Sequence, residues 1–463
     1  MYRRFFSEIF RGKEHVLSPD MEALLARAQD MANAPQQIFM NFNNADLEFG
    51  EIQDDERKPV TVTHGNYTVL LKSRDRRVRK DAFHAMYAAY EKHRNTLAAT
   101  MDANAAAQNF FASARKYPSS RNMALDGAHI PESVYDELIA AVHEGMPLMN
   151  RYMQIRKEAL GLDELNMYDV YVPLTESPEK TYTFEEAKKL VKDALSVMGD
   201  EYVSLLQEGF DNGWVDVCEN EGKRSGAYSW GSYDSHPYVL LNYHGALSDV
   251  FTLAHEMGHA LHSYYSHKNQ PYIYAGYHIF VAEVASICNE MILIQYLIDR
   301  ADDLEEKKYL INYLLEQFRT TLFRQTMFAE FEHEAHRMKG TGQTLTAQNL
   351  CELYYDLNCR YFGPGVNVDK EIAMEWARIP HFYTPFYVYQ YATGFAAALA
   401  VSGKILRGDK GILESYRAFL SGGCVMDCMD LLKLCGVDMA KPEPIREALS
   451  IFDKYLEEFG KLF

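Results

Sequence analysis

Two histidines and a glutamate stand close together in the run Ala254-His255-Glu256-Met257-Gly258-His259, the imidazoles four residues apart. On a helix that spacing is one turn plus roughly 40°, so both rings leave the same face. Nitrogen donors so placed can take two corners of a Zn²⁺ tetrahedron, while Glu256, beside the first, points at a metal-bound water as general base. Ala254, Met257, Gly258, Ala260 and Leu261 are small or apolar. The His and Glu side chains are therefore polar inserts in a helix built for burial, and they need partners there. The bland alternative is a pair of helix histidines satisfied by neighbouring carbonyls.

A hydrolytic zinc keeps three protein ligands and one position open for water. Glu283, in the run FVAEVAS, is the best third donor. The segment 267–277, with Pro271 and Gly276, turns the chain back, and 24 residues after His259 leave room for an antiparallel helix beside the first. His262, three residues beyond His259, is too far along one rigid helix to close a tetrahedron with both other rings. It is assigned a supporting or structural role.

Far away in sequence, HFYTPFYVYQY gathers His381, Tyr383, Tyr387, Tyr389 and Tyr391 between Pro380 and Gly394. Hydroxyls and an imidazole are the groups that stabilise an oxyanion and hold a substrate carbonyl. Tyrosines at this density also serve as packing. His381 and Tyr391 are the preferred pair, with Tyr387 a further candidate.

A rival reading pairs Glu256-x-x-His259 with Glu330-x-x-His333, the ExxH signature of a di-iron carboxylate oxidase in a helical bundle. It leaves His255 and the tyrosine cluster unexplained. The run His333-Glu334-Ala335-His336 is a decoy, its histidines three apart. A third reading is a metal-stabilised scaffold that binds peptides without cutting them. Metal analysis separates zinc from iron, and turnover of a quenched peptide separates enzyme from scaffold.

The rest of the chain must position these groups. Its 463 residues carry 65 acidic against 47 basic side chains, a net charge of −18. That excludes the broad basic face needed for nucleic acid or an anionic membrane surface. With 48% hydrophobic residues a sizeable core is assured. The amino terminus is basic and amphipathic without the features of an export signal, and no stretch reaches about 18 consecutive apolar residues. Seven scattered cysteines lack paired CxxC spacing, as in a reduced compartment. Cys424 and Cys428, four apart, could share a helix face. A soluble cytoplasmic protein is expected, its oligomeric state undetermined.

Periodicity predicts a mainly α fold with a small β-sheet beside the active-site helix. Ser18-Pro19-Asp20 opens a helix through about residue 32. Segments 60–63 and 67–71 read as a hairpin around His64-Gly65-Asn66, and the spacing after Ser73 predicts one long helix to about 113. Helices follow from Pro131 and Phe184, then at 251–265, 279–297, 307–336 and 346–361, and over most of the chain past Tyr391. Two strands are expected within 222–243, of which 238–242 could take an extended peptide as an added strand. The division expected is an amino-terminal helical remnant over 1–72 and a catalytic domain over 73–463.

Taken together, HEMGHALHS, Glu283 in FVAEVAS, RQTMFAEFE and IPHFYTPFYVYQYATG resemble oligoendopeptidase F, within the thimet-oligopeptidase-like zinc metallopeptidases. The resemblance spans essentially the whole chain. It implies one Zn²⁺ per chain held by His255, His259 and Glu283, with Glu256 as general base. It also implies a transition-state histidine and tyrosine within 381–391, His381 being the matching histidine. The substrates implied are short unstructured oligopeptides, admitted by a deep channel and cut at internal bonds. The family usually carries a further helical segment ahead of the position of Met1, forming part of the channel wall, and this chain is expected to begin inside that layout. The family's Gly-Gly-Ser motif stands here as Gly422-Gly423-Cys424, with no chemistry assigned to the thiol.

Overall fold

Helix starts along the chain are set by short polar side chains that accept orphan N–H groups. Asp75, Ser119, Thr183, Asp303 and Thr346 each cap a helix in this way, Thr183 and Thr346 reciprocally with the residue three further on. The computed structural model describes residues 2–176 and 180–462. Its first half holds α1 (Arg3–Gly12), α2 (Pro19–Asn41), α3 (His64–Leu71), α4 (Arg76–Glu91), α5 (Arg94–Ala114), α6 (Ser120–Asp126), α7 (Glu132–Glu144), α8 (Met146–Ala159), α9 (Phe184–Ala194) and α10 (Asp200–Asp211). The second half holds α11 (Leu247–Asn269), α12 (Ile279–Ile298), α13 (Leu304–Gln317), α14 (Arg324–Gly340), α15 (Ala347–Phe362), α16 (Tyr389–Arg407), α17 (Ile412–Leu420), α18 (Cys428–Leu434) and α19 (Glu443–Gly460). The fold is mainly α, as periodicity predicts.

α12 is the centre of the body, packed between α11 and α16. It is long and apolar enough to cross a membrane by length and composition, yet 72% of that stretch is buried inside the protein. Its apolar residues, from Phe280 through Ile298, join those of α11 and α16 in one continuous core.

Several boundaries differ from the periodic pattern. The expected hairpin is displaced: β1 (Glu51–Gln53) pairs antiparallel with β2 (Pro59–Thr61), and 64–71 is helical. The cause is a capping box, in which Asn66 donates its backbone N–H to Thr63 Oγ1 and accepts from Thr63 N–H at Oδ1. The single helix expected to 113 is broken at Lys92-His93, where His93 leaves helical geometry at φ −117°. α2 runs to Asn41 rather than 32, carrying Pro35 inside it. The helix expected over 307–336 is interrupted by a wider turn at Phe318–Phe323 between α13 and α14.

Both strands expected within 222–243 form. β3 (Val215–Asp216), β4 (Tyr228–Trp230) and β5 (Tyr238–Leu240) make a sheet in the order β3-β5-β4. β5 is bonded on both sides, parallel to β3 and antiparallel to β4. The strand expected to accept a peptide therefore has no free edge; the open edge on the other side of the hairpin belongs to β4. All seven cysteines are free, and Cys424 precedes α18, so it does not share a helix face with Cys428.

Candidate metal centre

α11 and α12 form an antiparallel hairpin closed by the turn at Pro271–Ala275, and they touch at Gly258. A Cβ at that position would meet Ser286 Cα at 2.6 Å and Ala285 O at 2.8 Å, so only glycine permits the approach. Asn289 of α12 donates to the Ala254 carbonyl at 3.0 Å and accepts from Tyr202 at 2.9 Å, fixing the register of the two helices. The segment Gly422-Gly423-Cys424 clasps the turn from outside. Cys424 N–H donates to Tyr274 O at 3.0 Å, and Gly423, at φ +52°, passes so close to that carbonyl that a Cβ would overlap it.

That register brings His255, His259 and Glu283 together, their ligand atoms all within 4.8 Å of one another. Glu283 Oε2 is 3.4 Å from His255 Nε2 and 3.7 Å from His259 Nε2. Two ligands bound to zinc at 2.0–2.1 Å in a tetrahedron stand roughly 3.4 Å apart, so the three donors fit the ion. The two imidazoles are edge to face, with centroids 4.8 Å apart. Ser286 Oγ, 3.3 Å from Glu283 Oε2, steadies the carboxylate.

Glu256 stands beside them, 6% exposed, with its Oε2 atom buried and without a hydrogen-bond partner among the described residues. Burial raises its pKa to about 7, opposed by His255 and reinforced by Glu283 and Glu290. An orphaned carboxylate oxygen at this depth is costly unless a further group completes it. Burial pulls His255 down, but the hydrogen bond and charge of Glu290, with Glu283 and Glu256, lift it to about 9. His259 is lowered to about 4 by burial and by the neighbouring His255. Three carboxylates thus surround two imidazoles in a partly buried space, an arrangement that a divalent cation neutralises.

The periodic reading missed Glu290, whose Oε1 lies 2.5 Å from His255 Nδ1. The signal was there, since Glu290 is seven residues, two helical turns, beyond Glu283 on the same face. It also missed Tyr277, whose hydroxyl bonds Ser263 at 2.9 Å and whose ring stacks on His262 at 3.8 Å. His262 is buried there and is not brought to the ligand group, as expected of a structural residue.

His381, Tyr387 and Tyr391 do converge. Tyr391 Oη is 3.3 Å from His381 Nε2, and the Tyr387 ring lies 6.2 Å from His381 and 5.4 Å from Tyr391. Tyr391 lies in the first turn of α16, and three residues on Gly394 packs against Glu283, where a Cβ would come within 3.5 Å of the Glu283 Cβ. Tyr383 and Tyr389 are buried packing residues. The loop between His381 and Tyr387 contains Phe386 in the left-handed region at φ +54°. Its N–H donates to Glu332 Oε1 at 2.7 Å. Burial holds the Glu332 carboxyl well above the usual carboxylate range, and the Phe386 N–H opposes it.

Glu330 and His333 do not join the metal group. Glu330 is held by His143, Arg360 and Tyr361 at 2.7–2.8 Å, so the second half of a di-iron site is absent among the described residues. Glu8, His129 and Asp427 also cluster within 4.8 Å, but Arg4 already pairs with both Glu8 and Asp427 there.

A family model described as peptidase family M3 matches residues 69–451, and one described as oligopeptidase F matches residues 1–49. The oligopeptidase PepF of Bacillus subtilis is 46% identical over 462 residues, covering 100% of this chain and 69% of its own length. An oligoendopeptidase F homolog of Lactococcus lactis is 41% identical, with coverage of 100% and 76%. The crystal structure of oligoendopeptidase-F from Enterococcus faecium superimposes with a TM-score of 0.84 at 39% identity, covering 100% of this chain and 78% of that one.

Proposed function

The chain belongs to peptidase family M3 and is a metallo-oligopeptidase of the oligopeptidase F type, and from that premise we propose how its residues divide the work. One zinc ion per chain is bound by His255, His259 and Glu283. When bound, the metal supplies Lewis acidity to a water and to the scissile carbonyl. Glu256 takes the proton of the attacking water and delivers it to the leaving amine; burial keeps its pKa near neutrality, where it can do both. The observation that carries this assignment is the unpartnered Glu256 oxygen beside three convergent ligand atoms.

Glu290 accepts from His255 Nδ1–H and so turns Nε2 toward the metal position. His381 and Tyr391, with Tyr387 beside them, donate to the carbonyl oxygen as it gains charge, each donor worth about 2.7–4 kcal/mol by analogy with oxyanion-hole deletions. The substrate lies extended along the open edge of β4, where Tyr228 and Trp230 are exposed and the backbone can pair with a peptide. Short, unstructured oligopeptides suit such a site because they arrive already extended, and cleavage is internal. The net charge of −18 supports peptide rather than nucleic-acid or anionic-lipid partners, and the cytoplasm is the compartment consistent with seven free cysteines.

Glu256→Gln tests the reading. The variant should bind zinc normally and lose at least two orders of magnitude in kcat, as expected on removal of a general base. Near-normal turnover would contradict the assignment. Mass spectrometry of products from a mixed peptide pool, with and without chelator, reports the cleavage position and the metal requirement together.

A further inference from the structure

One turn before His255 on α11, the ring of Phe251 stacks on Tyr313 of α13 with centroids 4.6 Å apart. Tyr313 in turn lines a cavity of about 620 Å³ that separates α13 from α3, α8 and the segment 171–176. Glu290, which holds His255, also acts electrostatically on Tyr313. Tyr313 therefore stands between the cavity and the amino-terminal part of α11, the helix that carries His255.

Its charge is opposite to that of the protein. Arg156 and Arg319, each 1% exposed, share a single carboxylate: Glu316 accepts from Arg156 Nη1 at 3.0 Å and from Arg319 Nη2 at 2.6 Å. At the rim Arg74 is paired with Glu176 at 2.8 Å, but Lys72 is exposed and has no acidic partner among the described residues. Among the described lining residues, four cationic groups stand against two carboxylates, a positive excess in a chain of net charge −18.

Its buried polar atoms are also incomplete. Arg319 Nη1, Arg156 Nε and Thr175 Oγ1 are buried without a hydrogen-bond partner among the described residues. Each such donor costs about 1–3 kcal/mol when left unmet, and positive charge in excess at this depth is costly for the same reason. The Nε–Nη2 edge of Arg319 is held by Glu316, so both features are relieved by one kind of guest, an anion whose acceptor oxygens meet the remaining donors Arg319 Nη1 and Thr175 Oγ1. Every peptide, whatever its sequence, carries one such group, its carboxyl terminus. The remaining walls, formed by Tyr171, Tyr309 and Tyr313, suit the side chains next to it.

We infer that this cavity is a subsite for the carboxyl-terminal carboxylate of the peptide being cut, gripped by Arg319 with Lys72 and Thr175. The inference rests on the peptidase reading above and adds to it a rule of selection: the enzyme measures its cut from the carboxyl end of the substrate.

The test compares one peptide in three forms, as free acid, as carboxamide, and as a carboxamide extended by glutamate, which restores the charge on a side chain. Binding to the zinc-loaded Glu256→Gln protein is measured by calorimetry and kcat/KM on the unaltered enzyme. The free acid should bind at least tenfold tighter than either amide, and the combined change Lys72→Met with Thr175→Val should cut that ratio below threefold. Equal binding of acid and amide would overturn the proposal. So would a glutamate-amide that matches the acid, or a ratio unchanged in the doubly substituted protein. Because binding needs no turnover, a protein that prefers the acid tenfold yet cuts nothing would defeat the peptidase reading alone. Cleavage of acid and amide with equal kcat/KM would defeat the carboxylate subsite alone.

Discussion

Glu290 Oε1 lies 2.5 Å from His255 Nδ1, joining α12 to α11 at the ring whose Nε2 faces Glu283. Metal-ligating histidines depend on such an outer carboxylate for tautomer and orientation, and its loss typically costs 10–100-fold in metal affinity. Glu290→Gln should weaken zinc binding by about that factor, read by competition with a chromophoric chelator. Unchanged affinity would remove Glu290 from the centre.

The hydroxyl of Tyr391, and not that of Tyr387, contacts His381 Nε2. Tyr391→Phe should therefore lower kcat by about 10²–10³-fold with little change in KM, as when a single oxyanion donor is removed, and Tyr387→Phe by less. The reverse ranking in steady-state kinetics would move the role to Tyr387.

At Gly258 the helices that carry His255, His259 and Glu283 are in backbone contact. Gly258→Ala must push α12 from α11, and overpacking of this kind costs about 1–3 kcal/mol. The same displacement carries Glu283 away from the histidines. Thermal unfolding should shift down together with zinc affinity. An alanine variant with normal affinity would mean that the helices separate without moving the third ligand.

Burial alone would raise Glu316, but Arg319 and Arg156 overcome it and hold its pKa at about 2, against 4.5 when exposed. A carboxylate depressed in the folded state stabilises fully above its unfolded pKa and loses that contribution as pH falls. Urea denaturation of the native protein should thus show stability draining away between about pH 4.5 and 2. Glu316→Gln, which strands two buried guanidiniums, should cost about 3–5 kcal/mol at pH 7. Its deficit relative to the native protein should shrink across the same acid window. A deficit independent of pH there would contradict the pairing.

The convergence of His255, His259 and Glu283 was legible in the sequence because helix geometry puts His255 and His259 on one face, with Glu256 beside the first, and the short return through Pro271 leaves Glu283 few places to go. The central sheet strand was not. Nothing in residues 238–242 shows that β3, more than twenty residues earlier, closes the edge that β4 leaves open. The displaced hairpin at 60–71 is a case of local capping between Thr63 and Asn66 overriding the β-rich run at Tyr67-Thr68-Val69. The break at His93 and the wide turn at Phe318–Phe323 are invisible to a period that continues across them. The contact of Glu332 with Phe386 joins positions 54 residues apart through a buried carboxyl, which a pattern of hydrophobic spacing records only as an anomaly.

Phe386 gives the turn between His381 and Tyr387 a particular mechanical character. A bulky residue with positive φ persists only where its surroundings over-determine it, and here the Glu332 carboxyl and the packing around the ring do so. The imidazole on one side of the bend and the phenols on the other are consequently braced as a prestressed bracket. The entropy of aligning them is surrendered once, when the chain folds, and is not demanded again when a ligand arrives.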